Sequence, residues 1–501
     1  MSDCPCLQLR GACAWIKCES CLVWEIRVNR RVAGLLYARN GVHKGGGGPH
    51  ERPQVEGVGR PSVKWVFLLA VVMLAPAVFG WIQSDRRNLV RVCFLFGASI
   101  LLVGPTLWSA PVAWPTWPAP VKGTEISFID SVALALFFSA PKVRIPSSIK
   151  ISYLLLCLAL LISTCVAYNH IAALFYVWEF LRTTLLFLAM ARVCASEPRA
   201  AIAFISGLCV GMIGEGFWVG LQYLQHAERP GGSFGHSNTM GIAADFAIFP
   251  ALALVLGIRR ALLPSAAVVS GLVCAVLGGS RASMGLVAAG IFLTVILSIV
   301  QKPKPRKYAV LSAMALLVMA AAPAMIWSVG QRDSTASSDN DRAAMKDAAS
   351  MIIADHPFGV GANQYVIIAN TGGYSERAGV PWNEANLRAP VHDSYYLVTA
   401  ELGYLGLAGM LAMLGSFIAL GFNLLRRSAS EECSVLVPGL LATAIIVAIQ
   451  ISYEFTFMEF MLHDLCAINA GILVALLARK RVPSARAAKI PARPAALSHA
   501  S

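Results

Sequence analysis

Apolar positions along this chain run in unbroken blocks of 17 to 29 residues, separated by short polar stretches and one long one. A helix that crosses a hydrocarbon core of about 30 Å needs roughly 20 apolar residues, because each backbone amide must find its partner inside the segment. The blocks predict spans at Val63–Ile82, Leu89–Trp108, Ile151–Tyr168, Ile171–Val193, Ala200–Leu224, Met240–Gly257, Ala261–Leu277, Met284–Val300, Tyr308–Val329, Ser394–Phe422, Val435–Tyr453 and Phe460–Leu477. Phe128–Ala140 is too short to cross and reads as a helix that dips or packs. The expected fold class is therefore all-α: a polytopic membrane helix bundle of about 12 transmembrane helices, with a long outer loop carrying short helices.

Composition agrees, since 57% of the 501 residues are hydrophobic and only 14% charged. The formal charge of +14 does not point to nucleic acid. The positives sit in short loops and tails: Arg86, Arg87 and Arg91; Lys142, Arg144 and Lys150; Arg259 and Arg260; Lys302 to Lys307; Arg426 and Arg427; and six Lys or Arg with no acid from Arg479 onward. Basic loops face the cytoplasm. Counting back from the C-terminus then places Gln225–Thr239, the turn at Ser280 and Arg281, and the loop Gly330–Val391 together on the outer face.

These markers organise the chain as a tail at 1–60, N-terminal helices at 61–225, central helices at 226–330, the outer loop at 331–393, C-terminal helices at 394–478 and a basic cytoplasmic tail at 479–501. The first 60 residues read as a disordered basic tail or an overlong start. Their cysteines, Cys4, Cys6, Cys13, Cys18 and Cys21, form no paired Cys-x-x-Cys motif, so no metal site is assigned. None of the 13 cysteines falls in the outer loop, and no disulfide framework is indicated.

Charge inside a membrane helix costs a few kcal/mol and has to be accounted for. Glu179 and Arg182, three apart on one helix, are expected to pair. Glu215, Asp245 and Glu454 have no local partner in the sequence and either face a water-filled cavity or pack against neighbouring helices. In the outer loop, Asp341–Ala354 predicts an amphipathic helix with Met345, Ala348 and Ile352 opposite Arg342, Lys346 and Asp347, ended by Pro357. His392 stands just before the next helix, where its imidazole can take a proton from a hydroxyl. Arg281 (in GGSRASMG) and Arg229 (before GGSFGHSN, with His236 and Asn238) lie on the same face, and guanidinium groups suit phosphate oxygens. Together they outline an anionic-substrate site.

The stretches GSFGHSN, GGSRASMG, DRAAMKDAASMIIADHPFGVGANQY and VHDSYYLVTAELGYLGL, in this order from Arg229 to Leu407, resemble the O-antigen ligase and polymerase family of bacterial membrane glycosyltransferases. The resemblance implies an inverting, metal-independent transfer without cofactor on the periplasmic face of the inner membrane. The donor would be a polyprenyl-pyrophosphate-linked glycan. The acceptor would be a sugar hydroxyl on a second glycan (polymerase, slightly favoured) or on the lipid A core (ligase), in exopolysaccharide or O-antigen assembly. Membrane lipids and a chain-length regulator are the implied partners; nucleic acid is not. His392 then matches the residue that activates the acceptor, and Arg281 and Arg229 match the pyrophosphate-binding arginines. Arg342 matches a basic position at the start of the loop helix. Glu401 matches an acidic position with an orienting or structural role. The family often has Asn where this chain has Asp393, whose carboxylate either orients the imidazole or caps the helix. The alternative reading is a transporter or flippase of lipid-linked sugars. Such proteins tend to bind near the midplane, on broken helices in repeated halves; here no repeat is visible and the candidates gather at one interface.

Overall fold

The computed structural model describes residues 61–104, 106–227, 229–258, 261–314, 316, 335–427, 432–455 and 460–479. The N-terminal cysteines, Arg259 and Arg260, residues 315 and 317–329 of the predicted Tyr308–Val329 span, and the tail beyond Arg479 lie outside the described residues.

The described chain is almost wholly helical. The long helices are α1 (Pro61–Ser84), α2 (Arg86–Leu102), α4 (Ser147–Val166), α5 (His170–Ser196), α6 (Pro198–Leu224), α7 (Ser237–Gly257), α8 (Leu262–Leu277), α9 (Arg281–Gln301), α14 (Ser394–Arg427), α15 (Val437–Gln450) and α16 (Phe460–Arg479). Between them α3 (Phe128–Ser139) is short, and α10 (Thr335–Asp355), α11 (Tyr365–Thr371), α12 (Tyr374–Arg377) and α13 (Glu384–Arg388) form the loop region. Among the described residues, 9 helices are long and apolar enough to cross a membrane. With many apolar side chains facing outward, such as Trp65, Leu69 and Met73 on α1, the chain is a multi-pass membrane protein: in water such a surface would be a liability. The 12 residues of α3 reach only about 18 Å, so the expectation that this segment stops short of a crossing holds.

Helix α7 is the pillar of the bundle, apolar on all sides and buried for 89% of its spanning window. Its neighbours approach through glycine. A Cβ at Gly439 of α15 would stand 2.4 Å from the Phe249 carbonyl oxygen, and one at Gly290 of α9 would enter the Phe249 ring. The α2–α6 contact is closer still, with backbones touching at Gly97 and Gly207, the packing that small residues permit where lipid supplies no hydrophobic drive between helices.

The expected Glu179–Arg182 pair forms at 2.9 Å, and two acids from elsewhere join it: Asp130 of α3 at 2.9 Å and Asp464 of α16 at 3.5 Å. One guanidinium thus ties α3, α5 and α16. Glu215 likewise finds a partner in Ser233, whose hydroxyl and amide both donate to it. Asp245, fully buried in α7, has no hydrogen-bond partner for either carboxyl oxygen among the described residues.

A second apolar core lies at one end of the bundle. Met345, Ala348 and Ile352, the predicted inner face of α10, pack there with Tyr365, Val391, Leu397 and the buried Trp117. Trp117 belongs to an element that the sequence did not announce. The predicted Leu89–Trp108 span ends at Leu102, because α2 gives way to a turned segment whose strands β1 (Trp108–Ser109) and β2 (Ile126–Ser127) pair antiparallel. Trp117 donates its indole N–H to the Asn363 carbonyl at 3.2 Å, and Asn363 donates to the Val121 carbonyl at 2.7 Å. The cap over the bundle therefore has two parts, 103–127 and α10–α13.

The cap is also threaded into the bundle. Helix α14 breaks at Gly403, whose φ of 69° and ψ of −174° are not helical. The turn 357–361 fills the break: Val360 and Gly361 donate to the carbonyls of Ala400 (2.8 Å) and Glu401 (3.1 Å), and Tyr404 donates back to Pro357 (3.2 Å). Irregular backbone at membrane depth survives only where protein satisfies it in this way.

Candidate active site

The start of α14 fixes the geometry. Asp393 caps it, its carboxylate accepting from the amides of Tyr395 (3.0 Å) and Tyr396 (3.3 Å) while pairing with Lys346 of α10 at 2.8 Å. Ser394 then stitches α14 to the end of α15, donating from its amide to Ile451 O (2.8 Å) and from its hydroxyl to Glu454 O (2.7 Å). The two alternatives for Asp393 resolve: it caps the helix and holds α10, and a different acid reaches the imidazole.

That acid is Glu454. Its Oε2 lies 3.4 Å from His392 Nδ1, and its Oε1 accepts from Asn238 Nδ2 at 2.6 Å and from Arg342 Nη2 at 3.4 Å. Arg342 also donates to the Tyr453 carbonyl at 3.3 Å, and Lys346 to the Ser452 carbonyl at 3.4 Å. The His392 ring meets Phe455 edge to face, centroids 5.1 Å apart. Burial works against the charged form of Glu454, yet the His392 hydrogen bond and the positive Arg342 outweigh it and hold the carboxyl below its usual value.

His236 immediately precedes α7, within electrostatic reach of Glu454, Arg229, His392 and Arg342. Partial burial lowers its pKa from the ordinary value; Glu454 opposes the shift, and the neighbouring Arg229, His392 and Arg342 add to it. The Gly278–Gly279 turn before Arg281 backs onto the same segment, a Cβ at Gly278 falling 3.4 Å from Ser237 Cβ and 3.5 Å from Pro230 O. Ser280 caps α9 by accepting from the Ser283 amide at 3.4 Å. Arg281 and Arg229 are exposed, and neither pairs with a carboxylate among the described residues. The turn at Gly278, the segment at Pro230–Ser237 and α10 thus come together.

Of the predicted site residues, His392, Arg342, Asn238 and Asp393 are joined through Glu454 and Lys346 by hydrogen bonds and ion pairs, His236 and Arg229 border them, and Arg281 follows the α8–α9 turn that backs onto the start of α7. Glu401 is not part of this cluster. It lies two turns into α14, where its carboxylate accepts from the amides of Asn363 (2.8 Å) and Tyr365 (2.9 Å). It braces the inserted loop, as its expected structural role requires. Glu454 and Lys346 were not assigned to the site from sequence. Each left a signal: Glu454 is an acid at the end of an apolar block, and Lys346 sits on the polar face of an amphipathic helix. Beneath the cluster an apolar cavity of about 120 Å³ runs between α4, α5, α7, α14, α15 and α16, with Ile242, Val398 and Ile451 lining it near the cluster.

In comparison with known families, residues 266–411 match the model described as O-antigen ligase. The match takes in Arg281, Arg342, His392, Asp393 and Glu401, whereas Arg229, His236, Asn238 and Glu454 lie outside it. No curated protein matches the chain.

Proposed function

We propose, from the match of residues 266–411 to the family model described as O-antigen ligase, that the chain transfers a glycan from a polyprenyl-pyrophosphate donor to a sugar hydroxyl. The observation that carries this reading is the meeting of His392, held by Glu454 against the start of α14, with a rim of cationic side chains on one face of the bundle.

His392 Nδ1 faces Glu454, so the imidazole N–H points there and Nε2 is left to accept a proton. The acceptor hydroxyl gives its proton to Nε2 as its oxygen attacks the anomeric carbon. The bond from that carbon to the pyrophosphate oxygen breaks on the opposite side, the configuration inverts, and polyprenyl pyrophosphate leaves. Charge that develops on the leaving group needs cations at fixed positions. Arg281 and Arg229, exposed and paired with no acid among the described residues, are the groups to supply it, without a metal ion in the step. The mostly apolar cavity lined by Ile242, Val398 and Ile451 supports the reading, since its walls suit a short stretch of a polyprenyl chain. The active face would be the periplasmic side of an inner membrane, and a growing glycan as acceptor makes the chain a polymerase, a lipid A core a ligase.

The break in α14 at Gly403 could be taken for the discontinuous helix of a transporter. It is filled by the chain's own turn at 357–361, which leaves no open backbone for a transported substrate, so the transfer reading stands ahead.

The test is to purify the full chain, add a polyprenyl-pyrophosphate oligosaccharide and acceptor without added metal, and follow glycan length by gel. Wild type is expected to extend or transfer the glycan, His392→Ala to lose at least a hundredfold in rate, and Arg281→Ala to lose activity while remaining folded. Full activity in both variants overturns the assignment.

A further inference from the structure

We infer that Glu454 is a positioning residue for the transfer: it fixes the His392 tautomer with Nε2 outward and stabilises the imidazolium that forms as the acceptor proton is taken. The inference rests on the reading of His392 as the base. It lies beyond the family segment, which ends at residue 411.

The geometry is specific. Glu454 is 9% exposed at its side chain and His392 22%, so the pair is shielded from solvent that would otherwise weaken it. Each carboxyl oxygen has its own work. Oε1 takes two donors from two other elements, Asn238 from α7 and Arg342 from α10, and these pin the carboxylate; Oε2 is left for the imidazole. The backbone joins in, because the Glu454 carbonyl accepts from Ser394, two residues after His392. Any displacement of Glu454 therefore moves the start of α14 with it. Phe455 closes the ring's other side. Asp393, next in sequence to the histidine, is engaged by two amides and Lys346 and does not compete.

The charged groups facing this pair are Arg342 and Lys346 from α10, His236 and the preceding Arg229 from the start of α7, and Asp393 beside His392. Most are positive and disfavour an imidazolium. Glu454 is the negative charge that opposes them. Removing Glu454 takes away the negative charge that favours an imidazolium, and removing Arg342 takes away a positive charge that disfavours it.

The experiment measures kcat and KM of the full-length protein in lipid nanodiscs from pH 5 to 9, for wild type, Glu454→Gln, Glu454→Asp, Arg342→Ala and His392→Ala. Glu454→Gln is expected to lower kcat at least about tenfold with KM for the donor little changed, in the direction of the loss of up to about 10⁴ that follows removal of the orienting carboxylate from a Ser-His-Asp triad. The acid limb of its kcat/KM profile should move to lower pH, return toward wild type in Glu454→Asp, and move to higher pH in Arg342→Ala. Should Glu454→Gln fail to fold, the Arg342→Ala limb alone decides, since a purely structural tie predicts no movement. Parallel losses in both variants at every pH, with unmoved limbs, overturn the inference while an inactive His392→Ala keeps the base assignment. An active His392→Ala overturns the base assignment itself.

Discussion

At the scale of single residues, the largest consequence attaches to Arg182. Its guanidinium is almost fully buried and answers three carboxylates on three helices. Arg182→Ala leaves those acids without their cation, a loss that in buried networks costs about 3–5 kcal/mol. A sharp fall in folded yield on size-exclusion chromatography is expected, with poor rescue by lysine, which cannot offer a planar fork to several partners. Gly403 and Gly359 are the other sensitive positions. Both have positive φ, 69° and 85°, and a Cβ at either would strike backbone, Phe358 from Gly403 and the Glu401 carbonyl from Gly359. Alanine costs about 1–2 kcal/mol for the left-handed conformation alone, so either substitution should lower the thermal unfolding temperature in detergent. A change of less than a degree would contradict the close approach described here.

At the scale of elements, α10 and the turn after it decide how the cap sits on the bundle. Arg342 and Lys346, one helical turn apart on α10, both reach the end of α15, and Lys346 also holds Asp393. Because Lys346 is 37% exposed at its side chain, its pair with Asp393 contributes modestly. Lys346→Ala should therefore speed amide hydrogen exchange in α10 and at the start of α14 without unfolding the protein. Glu401→Gln is expected to act deeper. A neutral amide in place of the carboxylate weakens two hydrogen bonds from Asn363 and Tyr365, so exchange should rise across 357–366, where the turn enters the break in α14. Unchanged protection there would show that the apolar contacts of Tyr365 and Val366 hold the turn by themselves.

At the scale of the whole molecule, the two apolar cores meet different surroundings. Trp65 of α1 is 62% exposed and Trp117 of the cap 4%, so in bilayers of brominated lipid Trp65→Phe should remove a quenched component of the fluorescence and Trp117→Phe should not. The opposite result would turn the bundle's outer surface inside out. The burial asymmetry also explains how a membrane protein holds a cap: residues of α10 to α12 and of 103–127 share one buried apolar cluster with α4, α5 and α14, which anchors the cap to the bundle.

Much of this was legible in the sequence because it depends on local physics. A block of apolar residues must be helical where there is no water to satisfy its amides, and the polar face of α10 follows from helical spacing alone. His392 and Asp393 before α14 were legible too, since a helix start fixes what lies beside it. The chain order of motifs likewise carried the family resemblance. Tertiary structure alone decided the partners across elements. Glu454 is 62 positions from His392, and no local pattern predicts that the end of α15 turns onto the start of α14. Asp130 and Asp464 reach Arg182 for the same reason, as does Trp117 in reaching Asn363. The sequence determined which segments are helices and which residues stand at their ends; the packing of those helices decided which acid meets the histidine, because a buried charge takes its partner from whatever element the fold brings within reach.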